Sequence, residues 1–268
     1  MTPAHVHAPG AGPDPHTVVV VALLALASLA QLLASRRAGR RGRWPLARTL
    51  SWQLGLLSLG LGLAGPVAAA RTDFVAHMLG HLLVGMVAPL LLVLAAPVTL
   101  ALRVLPVATA RRLTRLLRSP VVRVLTHPVT AAVLDAGGLW LLYTTGLWQL
   151  TSSGPGHALV HVHVLLAGYL FTAAVVGVDP DPHRSPVAVR ATVLVAFVAA
   201  HSVLAKWLYA HPPAGTGVRE AEVGAQLMYY GGDVVHLALM VLLGLAWYRA
   251  TGRLRTPDRL VRQRAAKA

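Results

Sequence analysis

Residues 74–96 read FVAHMLGHLLVGMVAPLLLVLAA, with no Asp, Glu, Lys or Arg among them. About 20 mostly apolar residues let a helix cross a hydrocarbon core of roughly 30 Å, so this stretch predicts a membrane span. Pro89 lies inside it. An interior proline kinks a helix and frees a carbonyl, which a membrane bundle tolerates where neighbours satisfy the freed group. Working outward, the same reading gives spans over 17–34 and 50–70 before it, and over 128–148, 157–178, 187–209 and 225–248 after it. The predicted fold class is therefore all-α, a polytopic membrane bundle of about seven transmembrane helices in one domain over 17–250. Residues 1–16, rich in Pro, Gly and His, are expected to be a disordered external tail, and 251–268 a basic cytoplasmic tail. Arginines, not a small-residue cleavage site, follow the first apolar segment, so it reads as a retained span.

Composition agrees with this. The chain is 56% hydrophobic and 12% charged, with mean hydropathy +0.62, whereas a soluble domain carries about 25% charged residues. A net charge of +15 would suggest nucleic acid in a soluble protein. Here the arginines gather between spans: Arg36, Arg37, Arg40, Arg41, Arg43 and Arg48 after the first, and Arg103, Arg111, Arg112, Arg115, Arg118 and Arg123 after the third. Seven spans place both runs, Arg184 and the C-terminal arginines on one side. The positive-inside rule then predicts an external N-terminus and a cytoplasmic C-terminus, and removes nucleic acid as a partner. Arginines interleaved with Leu102, Leu105, Leu113, Leu116 and Leu117 predict an amphipathic helix on an anionic leaflet. With no cysteine, disulfides, thiolate metal sites and a cysteine nucleophile are excluded.

The thirteen histidines are distributed unevenly. Under this topology only His127 and His183 fall near the cytoplasmic side. His77 and His81 open the third span from outside, and His157, His161 and His163 open the fifth. His201 lies in the outer half of the sixth span and His236 near the middle of the seventh. Residues three or four apart share a helix face, which aligns Asp73 with His77 and His81, His157 with His161, and Asp233 with His236. Met78 adds a soft donor beside His77. Ionisable groups within spans are costly and face the bundle interior or water. Imidazole with thioether and no thiolate suits copper, with zinc as the alternative. A single intramembrane histidine also serves commonly as an interhelical hydrogen-bond partner. Asp135, inside the fourth span, has Lys206 or a backbone group as its candidate partner. Gly55-x4-Gly60-x-Gly62 and Gly137-Gly138 read as helix-packing positions. Neither a phosphate-binding G-x4-G-K-[ST] loop nor an H-E-x-x-H pair is present.

These residues carry a resemblance. HMLGHLLVGMVAPLLLVLAAPVTL at 77–100 is similar to the signature of the CtaG-like cytochrome c oxidase assembly factors, an HMxxH followed by an apolar run into APxLLVLxAPVTL. His127-Pro128, His161-x-His163, GYLF at 168–171, GVDPDPHR at 177–184, His201 and Gly231-Gly232-Asp233 continue the match in order over roughly residues 50–250. The chain departs from the family pattern at Tyr229-Tyr230 and Asp233, where the family has Trp and Glu, and at Asp135 in an otherwise apolar span. The resemblance implies a multi-pass protein of a bacterial plasma membrane that is not an enzyme. It would help to metallate haem-copper oxidase by handling copper at the outer face. Its partners would be oxidase subunits and the lipid bilayer, and a homo-oligomeric state stays open. The combined candidate ligand set is His77, His81, His157, His161, His163, His201 and His236 with Asp73, Asp233 and Met78, of which three or four suffice for one ion. Two alternatives share these residues: an intramembrane zinc hydrolase seeded by Asp73, His77 and His81, and a b-type cytochrome with bis-histidine haem.

Overall fold

The computed structural model describes residues 15–70, 73–145, 147 and 154–265, of which 154–155 and 252–265 by backbone alone. Residues 1–14, most of the expected N-terminal tail, lie outside the described residues. Every regular element among the described residues is a helix. In chain order these are α1 (Pro15–Arg40), α2 (Leu46–Leu63), α3 (Pro66–Ala69), α4 (Phe74–Leu94), α5 (Pro97–Val104), α6 (Val107–Leu117), α7 (Pro120–Leu125), α8 (128–144), α9 (Gly154–Val176), α10 (Val187–Ala210) and α11 (Val218–Ala265). Six are long and apolar enough to cross a membrane: α1, α2 extended through α3, α4, α9, α10 and α11. The expected fourth span, 128–148, is helical over 128–144, and residues 146 and 148–150 fall outside the described set.

The quoted stretch forms the centre. Helix α4 packs on α2, α9 and α11; α8 and α11 both contact α9 and α10; α1 leans on α2 and α5. Large apolar side chains on the outer faces of α1, α2, α9, α10 and α11 are exposed, as a lipid-facing surface requires. Three apolar clusters fill the inside. Phe74, Met78, Leu142, Tyr143, Leu204 and Leu208 hold one end of the bundle. Phe171, Val175, Leu194, Phe197, Leu239 and Leu243 hold the other, and Leu56, Leu59, Val84 and Leu92 join α2 to α4. Small residues set the helix spacing. A Cβ on Gly55 would lie 3.0 Å from Leu92, one on Gly62 would lie 2.6 Å from Val84, and one on Gly168 would run into the backbone carbonyl of Gly85. The glycine series in α2 is thus a packing series.

Two helices depart from regular α geometry. In α4 a π segment covers Leu82–Val87, and in α8 another covers Val133–Gly137. Each inserts one residue into a turn, which rotates the following residues and loosens the carbonyl ladder. His163 Nε2 donates to the Leu134 carbonyl at 3.0 Å within the second of these segments.

The arginine-rich connections meet at one end of the bundle. Arg41 Nη1 donates to the Arg103 carbonyl at 2.7 Å and Arg103 Nη1 to the Arg43 carbonyl at 3.3 Å. At the same end α4 stops where Ala96 adopts a left-handed conformation (φ 54°) and Pro97 restarts the chain as α5. The first free N–H groups of α5, on Val98 and Thr99, donate to the Asp179 carboxylate at 3.1 and 2.7 Å. The turn bearing Asp179 is closed by Arg184, which donates to the carbonyls of Gly177 and Asp179. Buried Arg190 donates to the Val175 carbonyl at 2.9 Å near the end of α9. The APVTL and DPDPHR stretches are therefore two halves of one junction.

Candidate functional site

Three helices each deliver one histidine to the middle of the bundle. His81 comes from the turn of α4 just before its π segment, His201 from α10 and His236 from α11; all three are buried. The His81 and His201 ring centroids are 6.2 Å apart and nearly parallel, while His201 and His236 are 4.9 Å apart and edge-on. Phe197 stands against both His201 and His236. Gly232 makes this possible, because a Cβ there would lie 2.7 Å from His201 Cε1.

The three rings face a cavity of about 10 Å³, the space of a single water or ion. Its lining includes Gly85, Met86, Asp135, Gly168, Thr172 and Phe197. Both π segments border it, the first through Gly85 and Met86 and the second through Asp135. Five buried ring nitrogens of the residues lining this cavity have no hydrogen-bond partner among the described residues: Nε2 of His81 and both nitrogens of His201 and His236. A buried polar atom left unpaired costs about 1–3 kcal/mol, so five around one cavity make it the candidate site. The Asp233 carboxylate is 3.7 Å from His236 Nδ1, too far for a hydrogen bond, and is itself half exposed. Among the described residues, no three His, Asp or Glu side chains stand close enough together to hold a metal ion as placed.

A second histidine layer lies toward the start of α4. His77 Nε2 and the Tyr143 hydroxyl are 2.7 Å apart. The His157 and His161 rings meet edge-on at 4.3 Å. His161 Nδ1 donates to the His157 carbonyl at 2.9 Å, which leaves Nε2 as the nitrogen that carries the free lone pair.

The other sequence candidates have different places. Asp73 caps α4 by accepting from Ala76 N–H at 3.0 Å, and Glu220 of α11 accepts from Phe74 N–H at the same helix start. Met78 is fully buried among apolar residues. His163 is exposed and turned to the α8 backbone. Lys206 lies with its ammonium 5.4 Å from the Tyr229 ring centroid, so it is not the partner of Asp135. Asp135 and Met86 also line the cavity, a role assigned to neither from the sequence. A carboxylate within an apolar span was the available signal for Asp135; nothing local marked Met86.

The fold and the site together define a multi-pass helical membrane protein with a buried imidazole and carboxylate cavity. A family model described as cytochrome c oxidase caa3 assembly factor (Caa3_CtaG) matches residues 29–250. That range contains most of the chain and every residue of the cavity, and the chain belongs to this family. No curated protein and no solved structure matches it significantly.

Proposed function

We propose that this assembly factor carries copper for a haem-copper oxidase and holds the ion at His81, His201 and His236. The observation that carries the reading is the set of five unpartnered ring nitrogens around an ion-sized cavity. Asp135 would offset the charge of the cation, and Met86 would offer a thioether that favours Cu(I). As placed the three imidazoles form no closed ligand group, so they would have to move together to share one ion. A donor set that closes only on binding suits cargo that is later surrendered by ligand exchange. His157, His161 and His77 would form the mouth. His81 is seven residues from the start of α4, about 10 Å along the axis, so the ion would pass from that layer inward. The basic end would face the cytoplasm and the histidine mouth the exterior of a bacterial plasma membrane.

The cavity size favours a carrier over the alternatives. About 10 Å³ admits an ion, whereas a pocket for an organic substrate or porphyrin runs to several hundred Å³. This supports reading the role as transfer, not turnover.

Elemental analysis of the detergent-purified protein beside a His201→Asn, His236→Asn variant tests the proposal, with His163→Asn as the control. About one copper per chain, lost in the double variant and kept in the control, is the expected result. Copper bound equally by all three would remove the cavity as its site, and zinc in place of copper would change the cargo.

A further inference from the structure

A second cavity lies at the arginine-bearing end and shares no lining residue with the histidine cavity. It is a cleft of about 550 Å³ between the α1–α2 connection and α6. Val107, Ala110, Arg111, Thr114 and Arg115 line it from α6, at helical positions i, i+3, i+4, i+7 and i+8, which form one continuous face. Arg41 closes the opposite side, and Leu102 and Leu105 give it an apolar floor.

Arg41 Nη1 donates to the Arg103 carbonyl, but among the described residues no carboxylate neutralises the charge in this cleft. No Asp or Glu occurs between residues 15 and 72 or between 74 and 134. Among the described residues no ion pair joins Arg41, Arg111 or Arg115 to a carboxylate. The Asp179 carboxylate at this end is engaged by Val98 and Thr99. Three exposed guanidinium groups over a leucine floor, at the end of a bundle whose outer surface is apolar, complement a ligand with an anionic head and an apolar tail.

We propose that this cleft binds an anionic phospholipid. Guanidinium groups recognise phosphate oxygens by paired N–H donors, so Arg111 and Arg115, about one helical turn apart, hold the phosphodiester with Arg41. The leucine floor takes the start of the acyl chains. Basic pockets beside transmembrane helices on the positive side are suited to anionic headgroups. The site is independent of the copper reading.

Native mass spectrometry of the full-length protein tests this with phosphatidylglycerol and phosphatidylcholine of matched chains. The comparison uses Arg111→Gln, Arg115→Gln against Arg118→Gln, Arg123→Gln, which removes equal charge outside the cleft. An arginine near an anionic surface is worth about fivefold in affinity, so the first double variant should lose roughly thirtyfold in phosphatidylglycerol binding. The control should keep its preference for phosphatidylglycerol. Equal losses in both variants, or no preference in the parent protein, would overturn the site. Displacement of the lipid by inorganic phosphate at matched concentration would also overturn it, since that marks a free-anion site.

Discussion

The Asp179 carboxylate accepts from both the backbone N–H and the hydroxyl of Thr99, at 2.7 and 2.6 Å. It does for α5 what an N-cap side chain ordinarily does from one residue away, except that it reaches across from the turn after α9. This bond fixes the connection between α4 and α5 to the connection between α9 and α10. Since α4 and α9 supply His81 and Gly168 to the cavity wall, the junction also holds the site from its far end.

Asp179→Asn should therefore lower stability by about 1–2 kcal/mol, the usual worth of a charged cap. Thermal unfolding of the purified protein in detergent measures it. Thr99→Ala should cost less, and the double variant should fall short of the sum of the two, because both remove one interaction. Additive losses would show that the two residues act separately.

The sequence makes α4 plain because 23 uncharged residues leave few other conformations open. It shows the DPDPHR stretch as a turn but hides its purpose, since the group it caps lies 80 residues earlier and no local period encodes that contact. The π segments are hidden for a similar reason, as an apolar helix shows no break in pattern where one residue is inserted. The cavity is half legible. His81, His201 and His236 stand out as polar groups in apolar spans, but their meeting depends on the packing of α4 and α10 against α11. His161 and His163 look like one motif, yet residues two apart do not share a helix face, and the second bonds to α8 instead.

Gly168→Ala is expected to be among the most disruptive small changes. Its methyl would meet the Gly85 carbonyl, which is backbone and cannot rotate aside. Helices α4 and α9 would have to separate, at a cost of about 1–3 kcal/mol. Gly244→Ala adds the same methyl where nothing lies within 4 Å and should be neutral or stabilising. Detergent melting curves of the two variants separate the close approach from a general intolerance of glycine replacement.

Orientation is testable by reporters. The Arg41–Arg103 clasp places the first two basic connections together, and positive connections remain cytoplasmic. A fluorescent protein fused after residue 250 should fluoresce, and alkaline phosphatase fused at the same place should be inactive. Active phosphatase there would invert the bundle and turn the histidine mouth inward.

Asp135 offers the sharpest test of how the cavity treats charge. It is 6% exposed, and among the described residues its carboxylate has no cationic partner. A buried carboxylate without a partner is expensive, so the protein gains little stability from keeping it, and Asp135→Asn should insert and elute as the parent does. If the carboxylate compensates a bound cation, the same change should weaken copper binding by tenfold or more, the effect of losing roughly 1.4 kcal/mol or more. Competition with a Cu(I) chelator at graded concentrations reads this directly. Gly232→Ala should produce the same copper loss by a different route, because its methyl would displace the His201 ring. Unchanged copper affinity in both variants would leave the carboxylate and the ring position without influence on the ion, and the cavity would then be a structural void lined by histidines.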